Sequence, residues 1–157
     1  MAITLVGLGG CSEKRSQPLA IDNSLTQEEI AAGVLSPEVM WKMGRVGLAS
    51  LSPDASRLLY TVTWYNMQEN RGVTAIYVRD AASGEVAQLT DFSSNNSDPK
   101  WNADGSKIYF LSDLSGSSQI WEMAADGQNP RQLSKLDKDI EGFGVNPAGD
   151  KVFYVQA

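Results

Sequence analysis

The stretch that decides the fold covers residues 98–111 and reads Asp98-Pro99-Lys100-Trp101-Asn102-Ala103-Asp104-Gly105-Ser106-Lys107-Ile108-Tyr109-Phe110-Leu111. A polar turn separates two runs rich in aromatic and branched residues, which is typical of strands joined by a tight turn. Two further segments follow, Gln119-Ile120-Trp121-Glu122-Met123 and Arg131-Gln132-Leu133-Ser134. With residues 99–102 as its first strand, this region is predicted to be a four-stranded antiparallel meander.

The same pattern occurs three times. Equivalent positions are held by Pro53, Ala103 and Pro147, so the copies are offset by 50 and 44 residues. Later parts of the repeat recur at 44 residues, which leaves six extra residues in the first copy, inside residues 64–72. A four-stranded unit that recurs every ~40–50 residues is typical of β-propeller blades. We therefore predict an all-β fold: an incomplete β-propeller with two full blades, the start of a third, and a short helical N-terminal lead-in.

Composition restricts the chemistry that this chain can perform. Its 157 residues carry a net charge of −6 with no dense basic stripe, which argues against a nucleic-acid partner. The absence of His removes Ser-His-Asp catalysis and the commonest transition-metal ligand, and one Cys cannot form a zinc cluster. We therefore predict no catalytic residue, no metal and no cofactor in this chain.

Two kinds of recurring residue invite a functional interpretation. The acidic residues Asp54, Asp104 and Asp150 fall in the repeated turns, where an Asp can bond its own backbone, and the remaining ligands of a calcium loop are absent. Aromatic residues recur at strand spacing and are predicted to form the core between blades, namely Trp101, Tyr109, Phe110 and Trp121. Both sets are therefore interpreted as structural.

The N-terminal residues resemble a bacterial lipoprotein signal. Leu8-Gly9-Gly10-Cys11 has the small residues that precede a lipid-modified cysteine, although the basic start of such a signal is missing. The alternative is a frayed strand with Cys11 as a small apolar core residue. We expect residues 1–11 to be a signal remnant, 12–24 a tether, 25–46 the helical lead-in and 47–157 the partial propeller, with blades at about 47–92, 97–136 and 141–157. The resemblance implies an exported protein of the cell envelope or periplasm, anchored to a membrane by lipid on Cys11.

Two short helices are predicted in the lead-in. Thr26 and Glu29 match a capping box, and Ser36 before a proline is a second helix start. The second helix is expected to end at Gly44. Two of its residues are expected to pack on the following sheet, Met40 and Trp41.

The repeat motif resembles that of TolB-like propellers, which commonly read Trp-Ser-Pro-Asp-Gly-Lys, an apolar strand, and then Gln-Leu-Thr. It reads Leu51-Ser52-Pro53-Asp54-Ala55-Ser56-Arg57 in the first copy, and Gln88-Leu89-Thr90 closes that copy. The lead-in is similar to the start of bacterial prolyl oligopeptidase family serine peptidases of the dipeptidyl or acylaminoacyl type. It reads Pro37-Glu38-Val39-Met40-Trp41-Lys42-Met43-Gly44-Arg45-Val46.

This resemblance implies a serine peptidase whose propeller sits over a C-terminal α/β-hydrolase domain and limits entry to peptides. The nucleophilic Ser, the Asp and the His would lie in that domain, so this chain is expected to be an N-terminal fragment without catalytic residues. The implied partners are the peptide substrate and the hydrolase domain. The alternative is a non-enzymatic TolB-like propeller lipoprotein that mediates protein–protein interactions in the cell envelope.

The six extra residues of the first blade give the best candidate site. In a four-stranded blade, the loop between the second and third strands shares a face with the link to the next blade, here residues 91–98, and loops on a rigid scaffold often carry recognition. We predict that this face contacts the hydrolase domain or the incoming peptide; a plain surface hairpin is the alternative. The candidate residues are Trp64, Tyr65, Glu69, Asn70 and Arg71. Glu69 is also a candidate for binding a substrate amino terminus, a role that the resemblance gives to acidic propeller residues.

Overall fold

A computed structural model describes residues 18–146 and 151–156. Two short helices come first, α1 (Gln27–Ala32) and α2 (Pro37–Trp41). Ten strands follow: β1 (Arg45–Leu51), β2 (Arg57–Asn66), β3 (Arg71–Asp80), β4 (Val86–Gln88), β5 (Asn96–Trp101), β6 (Lys107–Ser112), β7 (Gln119–Ala124), β8 (Arg131–Gln132), β9 (Ile140–Val145) and β10 (Val152–Gln156). Cys11 and the signal remnant predicted at residues 1–11 lie outside the described residues, as do Asp150 and part of the tether. Within the described part, no helix has the length and apolarity needed to span a membrane.

The strands form three antiparallel sheets in chain order: β1–β4, β5–β8, and the pair β9–β10. The predicted all-β fold of four-stranded blades is therefore confirmed. The first strand of the second sheet begins at Asn96 rather than at residue 99. Its pairing shifts between Ser97 and Lys100, where Asp98 takes φ 49°. A bulge at this point accommodates Pro99, which has no N–H to donate to a ladder.

In the repeated turns, an Asp side chain accepts hydrogen bonds from neighbouring residues of the same turn. In the first blade, the Asp54 carboxylate accepts from the Ser52 hydroxyl at 2.6 Å and from the Ser56 amide at 3.1 Å. In the second blade, Asp104 accepts from the Ser106 amide at 2.8 Å. The interpretation of Asp54 and Asp104 as turn formers is confirmed.

The segments that close the two blades, Gln88-Leu89-Thr90 and Gln132-Leu133-Ser134, also have a structural role. The Ile76 amide donates to the Thr90 hydroxyl oxygen at 2.9 Å, and the Ile120 amide donates to the Ser134 hydroxyl oxygen at 2.8 Å. The Gln88 side-chain amide donates to the Thr90 carbonyl at 2.7 Å. These bonds fix the chain where it leaves the fourth strand, which explains why the segment recurs.

The second blade is buried on both faces because successive strand residues point to opposite sides. One face contributes to a core cluster shared with the first blade, made of Leu59, Ile76, Ile108, Phe110 and Met123, with Trp101 and Trp121 packed against it. The other face contributes to a cluster shared with the third sheet, made of Tyr109, Leu111, Ile120, Ile140 and Phe143. The predicted inter-blade role of the four aromatic residues is confirmed.

The lead-in has the predicted capping box, in which the Glu29 amide donates to the Thr26 hydroxyl oxygen and the Thr26 amide donates to Glu29. The second helix ends at Trp41, not at Gly44, because the chain must turn to enter β1 at Arg45. Trp41 packs on the sheet as expected, against Tyr65 of β2. The expectation for Met40 is wrong, since its side chain is 49% exposed.

Candidate functional site

The extra residues of the first blade lengthen a hairpin instead of enlarging a loop. Strands β2 and β3 have ten residues each, whereas β6 and β7 have six. The connection at residues 67–70 is two residues shorter than the connection at 113–118, so the net gain is six. The expectation that all of these residues lie between the strands is therefore wrong. The extension would project by about 13 Å at the usual strand rise per residue.

The five candidate residues occupy different parts of this hairpin. Glu69 and Asn70 lie in the exposed turn, where the Glu69 amide donates to the Asn66 side-chain oxygen at 2.9 Å and Asn70 takes φ 47°. Asn tolerates this left-handed conformation better than most residues. Arg71 begins β3 and is exposed, while Trp64 and Tyr65 lie just before Asn66, the last residue of β2, and are half-buried.

Trp64 and Tyr65 point to opposite faces of the hairpin because they are adjacent in a strand. The Trp64 indole donates to the Tyr77 hydroxyl oxygen at 3.2 Å, and Tyr77 stacks on Tyr60 with ring centroids 5.8 Å apart. Burial raises the pKa of Tyr77. Trp64 is thus held in an aromatic cluster, whereas Tyr65 faces the lead-in.

An arginine connects Tyr65 to the second helix. The Arg45 guanidinium lies 4.4 Å from the Tyr65 ring centre and 4.6 Å from that of Trp41. The two rings meet edge to face at 5.2 Å. Cation–π contacts of this kind attach the lead-in helix to the elongated hairpin.

The extended segment before the first helix crosses the same side of the blade. The buried Leu19 donates its amide to the Phe92 carbonyl at 2.9 Å, and the Asn66 side-chain amide donates to the Ala20 carbonyl at 2.7 Å. Leu19 and Ala20 therefore connect the link between the two blades to the end of the β2–β3 hairpin. This agrees with the prediction that residues 91–98 and the hairpin share a face.

Lys42, which follows the second helix, contacts both the extended segment before the first helix and the first helix itself. Its ammonium donates to the Ser24 carbonyl and to the Glu29 carboxylate, each at 3.1 Å, and lies 3.9 Å from Asp22. The pKa of Glu29 is lowered, first by the amide of Thr26 and then by Lys42. The pKa of Asp22 is lowered mainly by the Ser24 hydroxyl. Both carboxylates are therefore charged at neutral pH.

These elements enclose a groove of about 560 Å³, which we call the lead-in groove. Its walls are formed mainly by Ile21, Asp22, Glu38, Trp41, Tyr65 and Met67. Of the predicted site residues, the structure places only Tyr65 in this groove. In the described part of the chain, no three His, Cys, Asp or Glu side chains form a group that could hold a metal ion.

Several of the residues around this groove were missed by sequence reasoning. The sequence predicts only a packing role for Trp41, and no pattern singles out Asp22. The contact between Asn66 and Ala20 joins residues 46 positions apart and has no local signature. Glu38, Trp41 and Arg45 belong to the lead-in motif that resembles a peptidase family. That motif indicates a family and does not predict that these residues come together around a groove.

Stacked four-stranded blades with these repeated turns define a β-propeller protein. The chain belongs to the TolB beta propeller domain family, whose model matches residues 26–157.

Two similar proteins are peptidases of Porphyromonas. Dipeptidyl-peptidase 5 of Porphyromonas endodontalis is 30% identical over 134 residues, which cover 85% of this chain and 19% of that protein. Dipeptidyl-peptidase 5 of Porphyromonas gingivalis is 34% identical over 122 residues, covering 78% of this chain and 18% of that protein. The chain thus spans about a fifth of the length of these relatives.

A solved structure of acylaminoacyl peptidase from Pyrococcus horikoshii has the same fold. It superposes with a TM-score of 0.61 over 73% of this chain and 17% of that chain. The sequence identity is 16%, so this likeness concerns the fold alone.

Proposed function

We propose that this chain is the propeller part of an exported serine peptidase, in which it limits the entry of peptides to a catalytic α/β-hydrolase domain. The catalytic residues would lie in that second domain, and none is assigned to this chain. The observation that carries the proposal is the similarity to two dipeptidyl-peptidases over 134 and 122 residues. Those proteins are about five times longer than the part that matches.

The elongated hairpin is the proposed contact with the hydrolase domain or the incoming peptide. Its tip presents the exposed side chains of Glu69, Asn70 and Arg71 beyond the level of the equivalent hairpin in blade two. Trp64 and Tyr65 support the tip through their aromatic contacts. A rigid hairpin with a polar tip suits recognition because little conformational entropy is lost on binding.

The lead-in supports an interface on the same side. It exposes seven large apolar side chains, Leu25, Ile30, Val34, Leu35, Met40, Met43 and Val46. Exposed apolar patches of this kind mark interaction surfaces in soluble proteins. The lead-in is fixed to the hairpin through Arg45, so a domain that covered one would lie beside the other.

Kinetics of the full-length protein test this role of the hairpin. The double variant Glu69→Ala/Arg71→Ala removes two exposed charges at the tip. We expect kcat/KM for peptides to fall at least about fivefold, the effect of losing ~1 kcal/mol of contact energy, while hydrolysis of a small chromogenic ester is unchanged. Arg79→Ala/Glu85→Ala, at the opposite end of the blade, is the matched control. Peptide kinetics and domain docking equal to the control would contradict the role of the hairpin.

We also propose that the protein is exported and carries lipid on Cys11. The support is the sequence Leu8-Gly9-Gly10-Cys11. Labelling with radioactive palmitate in a bacterial host tests it. The expected result is label in the wild-type protein and none in Cys11→Ser; equal labelling of both proteins, or of neither, contradicts the proposal.

The alternative is a non-enzymatic propeller that mediates envelope interactions, and the family match to TolB beta propeller domains is the observation that favours it. The reading frame after codon 157 discriminates the two. A Gly-x-Ser-x-Gly elbow followed by Asp and His would favour the peptidase. A stop codon directly after a last blade would favour the non-enzymatic propeller.

A further inference from the structure

We infer that the lead-in groove binds a short peptide segment of a separate molecule, in which an arginine or lysine adjoins an apolar side chain. The inference goes beyond the proposed function, because it concerns a site formed by the lead-in and does not require peptidase activity. It rests on the size of the groove, on the fixed position of its walls and on its charge.

The groove has the dimensions and the lining of a ligand site. Its volume of about 560 Å³ falls within the range of about 300–1,000 Å³ that is common for such sites. Trp41, Tyr65, Ile21 and Met67 supply aromatic and aliphatic surface. The unbranched and polarisable side chain of Met67 can adapt to ligands of different shape.

The walls are held in place without a ligand. Arg45 fixes the two aromatic rings relative to each other. The Asn66–Ala20 hydrogen bond of 2.7 Å joins the hairpin to the extended segment, and Lys42 joins that segment to the helices. A preformed site loses less entropy when a ligand binds than one that must be ordered.

The charge of the groove selects a cation. Asp22 and Glu38 line it, and the pKa of Glu38 is lowered by its own backbone amide and then by the Ser36 hydroxyl. Among the described residues that line the groove, Lys42 alone is basic, and it is shared between Glu29 and Asp22. Arg45 stacks with the rings but does not line the groove. The negative charge is therefore in excess beside an aromatic wall, which favours a guanidinium or ammonium group.

Three blocked tripeptides test the inference by calorimetry with the product of the complete reading frame: Leu-Arg-Phe, Leu-Gln-Phe and Leu-Glu-Phe. A carboxylate about 4 Å from a cation in water gives about fivefold in affinity. We expect Leu-Arg-Phe to bind at least about fivefold more tightly than Leu-Gln-Phe, and Leu-Glu-Phe to bind most weakly. The difference should shrink as salt is raised.

Charge-neutralising variants assign the preference to the groove. In Asp22→Asn/Glu38→Gln, the affinities for the Arg and Gln peptides should become equal within twofold. Glu85→Gln removes an exposed carboxylate at the opposite end of the blade and should leave the fivefold preference unchanged. The inference is overturned if the three peptides bind equally, if none binds at millimolar concentration, or if the preference survives in the double variant. None of these results bears on the peptidase proposal, which the kinetics of the full-length protein decide.

Discussion

The Arg45 contact is expected to control how firmly the lead-in is attached to the first blade. Replacing it by Met keeps an unbranched side chain, shorter by the end of the guanidinium, and removes the charge. Two cation–π contacts are lost, at 4.6 Å from Trp41 and 4.4 Å from Tyr65. Each contributes about 0.5–1 kcal/mol at an exposed site. Arg45→Met should therefore destabilise the attachment by about 1–2 kcal/mol.

Native-state hydrogen exchange measures this attachment locally. The amides of Met40 and Lys42 are bonded within the second helix, to the carbonyls of Ser36 and Val39. A loss of about 1–2 kcal/mol corresponds to about 5–30-fold faster exchange of these amides. Amides of strand β6 in the second blade should exchange at the wild-type rate, because the two rings that Arg45 holds, Trp41 and Tyr65, belong to the second helix and to β2.

Two comparisons make the experiment decisive. Arg79→Met removes an exposed arginine that pairs with Leu58 at the far end of the same sheet, and it should leave exchange of the helix unchanged. Adding Trp41→Leu to Arg45→Met should cost less than Trp41→Leu alone, because the contact is already lost. Equal exchange in Arg45→Met and Arg79→Met, or strictly additive effects, would refute the reasoning.

Three further predictions concern the blades, each measured by urea denaturation. Ala55 takes φ 58° where the second blade has Gly105 at φ 73°, a left-handed conformation that glycine adopts without the strain of a Cβ. Ala55→Gly should therefore stabilise the fold by up to about 1 kcal/mol, and Gly105→Ala should destabilise it by about 1–2 kcal/mol. A change of the same sign in both variants would contradict this. The side chain of the buried Gln119 makes five hydrogen bonds. Gln119→Leu leaves their partners unpaired and should lower the free energy of unfolding by about 3 kcal/mol or more. A decrease below ~1 kcal/mol would argue against these bonds. The pKa of Asp54 is lowered from 3.8 to about 2, mainly by the hydrogen bond from the Ser52 hydroxyl. The stability that this carboxylate contributes is present above its unfolded pKa and is lost as the pH falls through its folded pKa. The Asp54→Asn variant should therefore lose less stability than wild type between pH 3.8 and 2, and identical acid profiles of the two proteins would count against this.

The repeat made the blades predictable because local chemistry and tertiary structure agree there. Asp54 and Asp104 build turns from bonds within five residues, and the alternation around Phe110 dictates which face each side chain takes. The capping box at Thr26 is local in the same sense. Such features follow from the identity and spacing of a few adjacent residues.

The candidate site was only partly predictable because its contacts are not local. The pattern placed six extra residues in the right part of the chain, but Trp64 and Tyr65 fit a strand as well as a loop. The end of the second helix depends on the pairing of Arg45 with Thr63 in β2, which the lead-in sequence does not contain. The groove requires Ala20 to meet Asn66, and the bulge at Asp98 needs the partner strand to define it.

The central proposal is that this propeller serves a serine peptidase whose nucleophile lies outside the chain. Its most direct test is labelling with a fluorophosphonate probe, applied to the product of the complete reading frame and to the 157-residue chain. We expect one labelled serine in the full-length protein, at a position after residue 157, and no label in the 157-residue chain. A folded full-length protein that stays unlabelled, or a label on the chain described above, would contradict it.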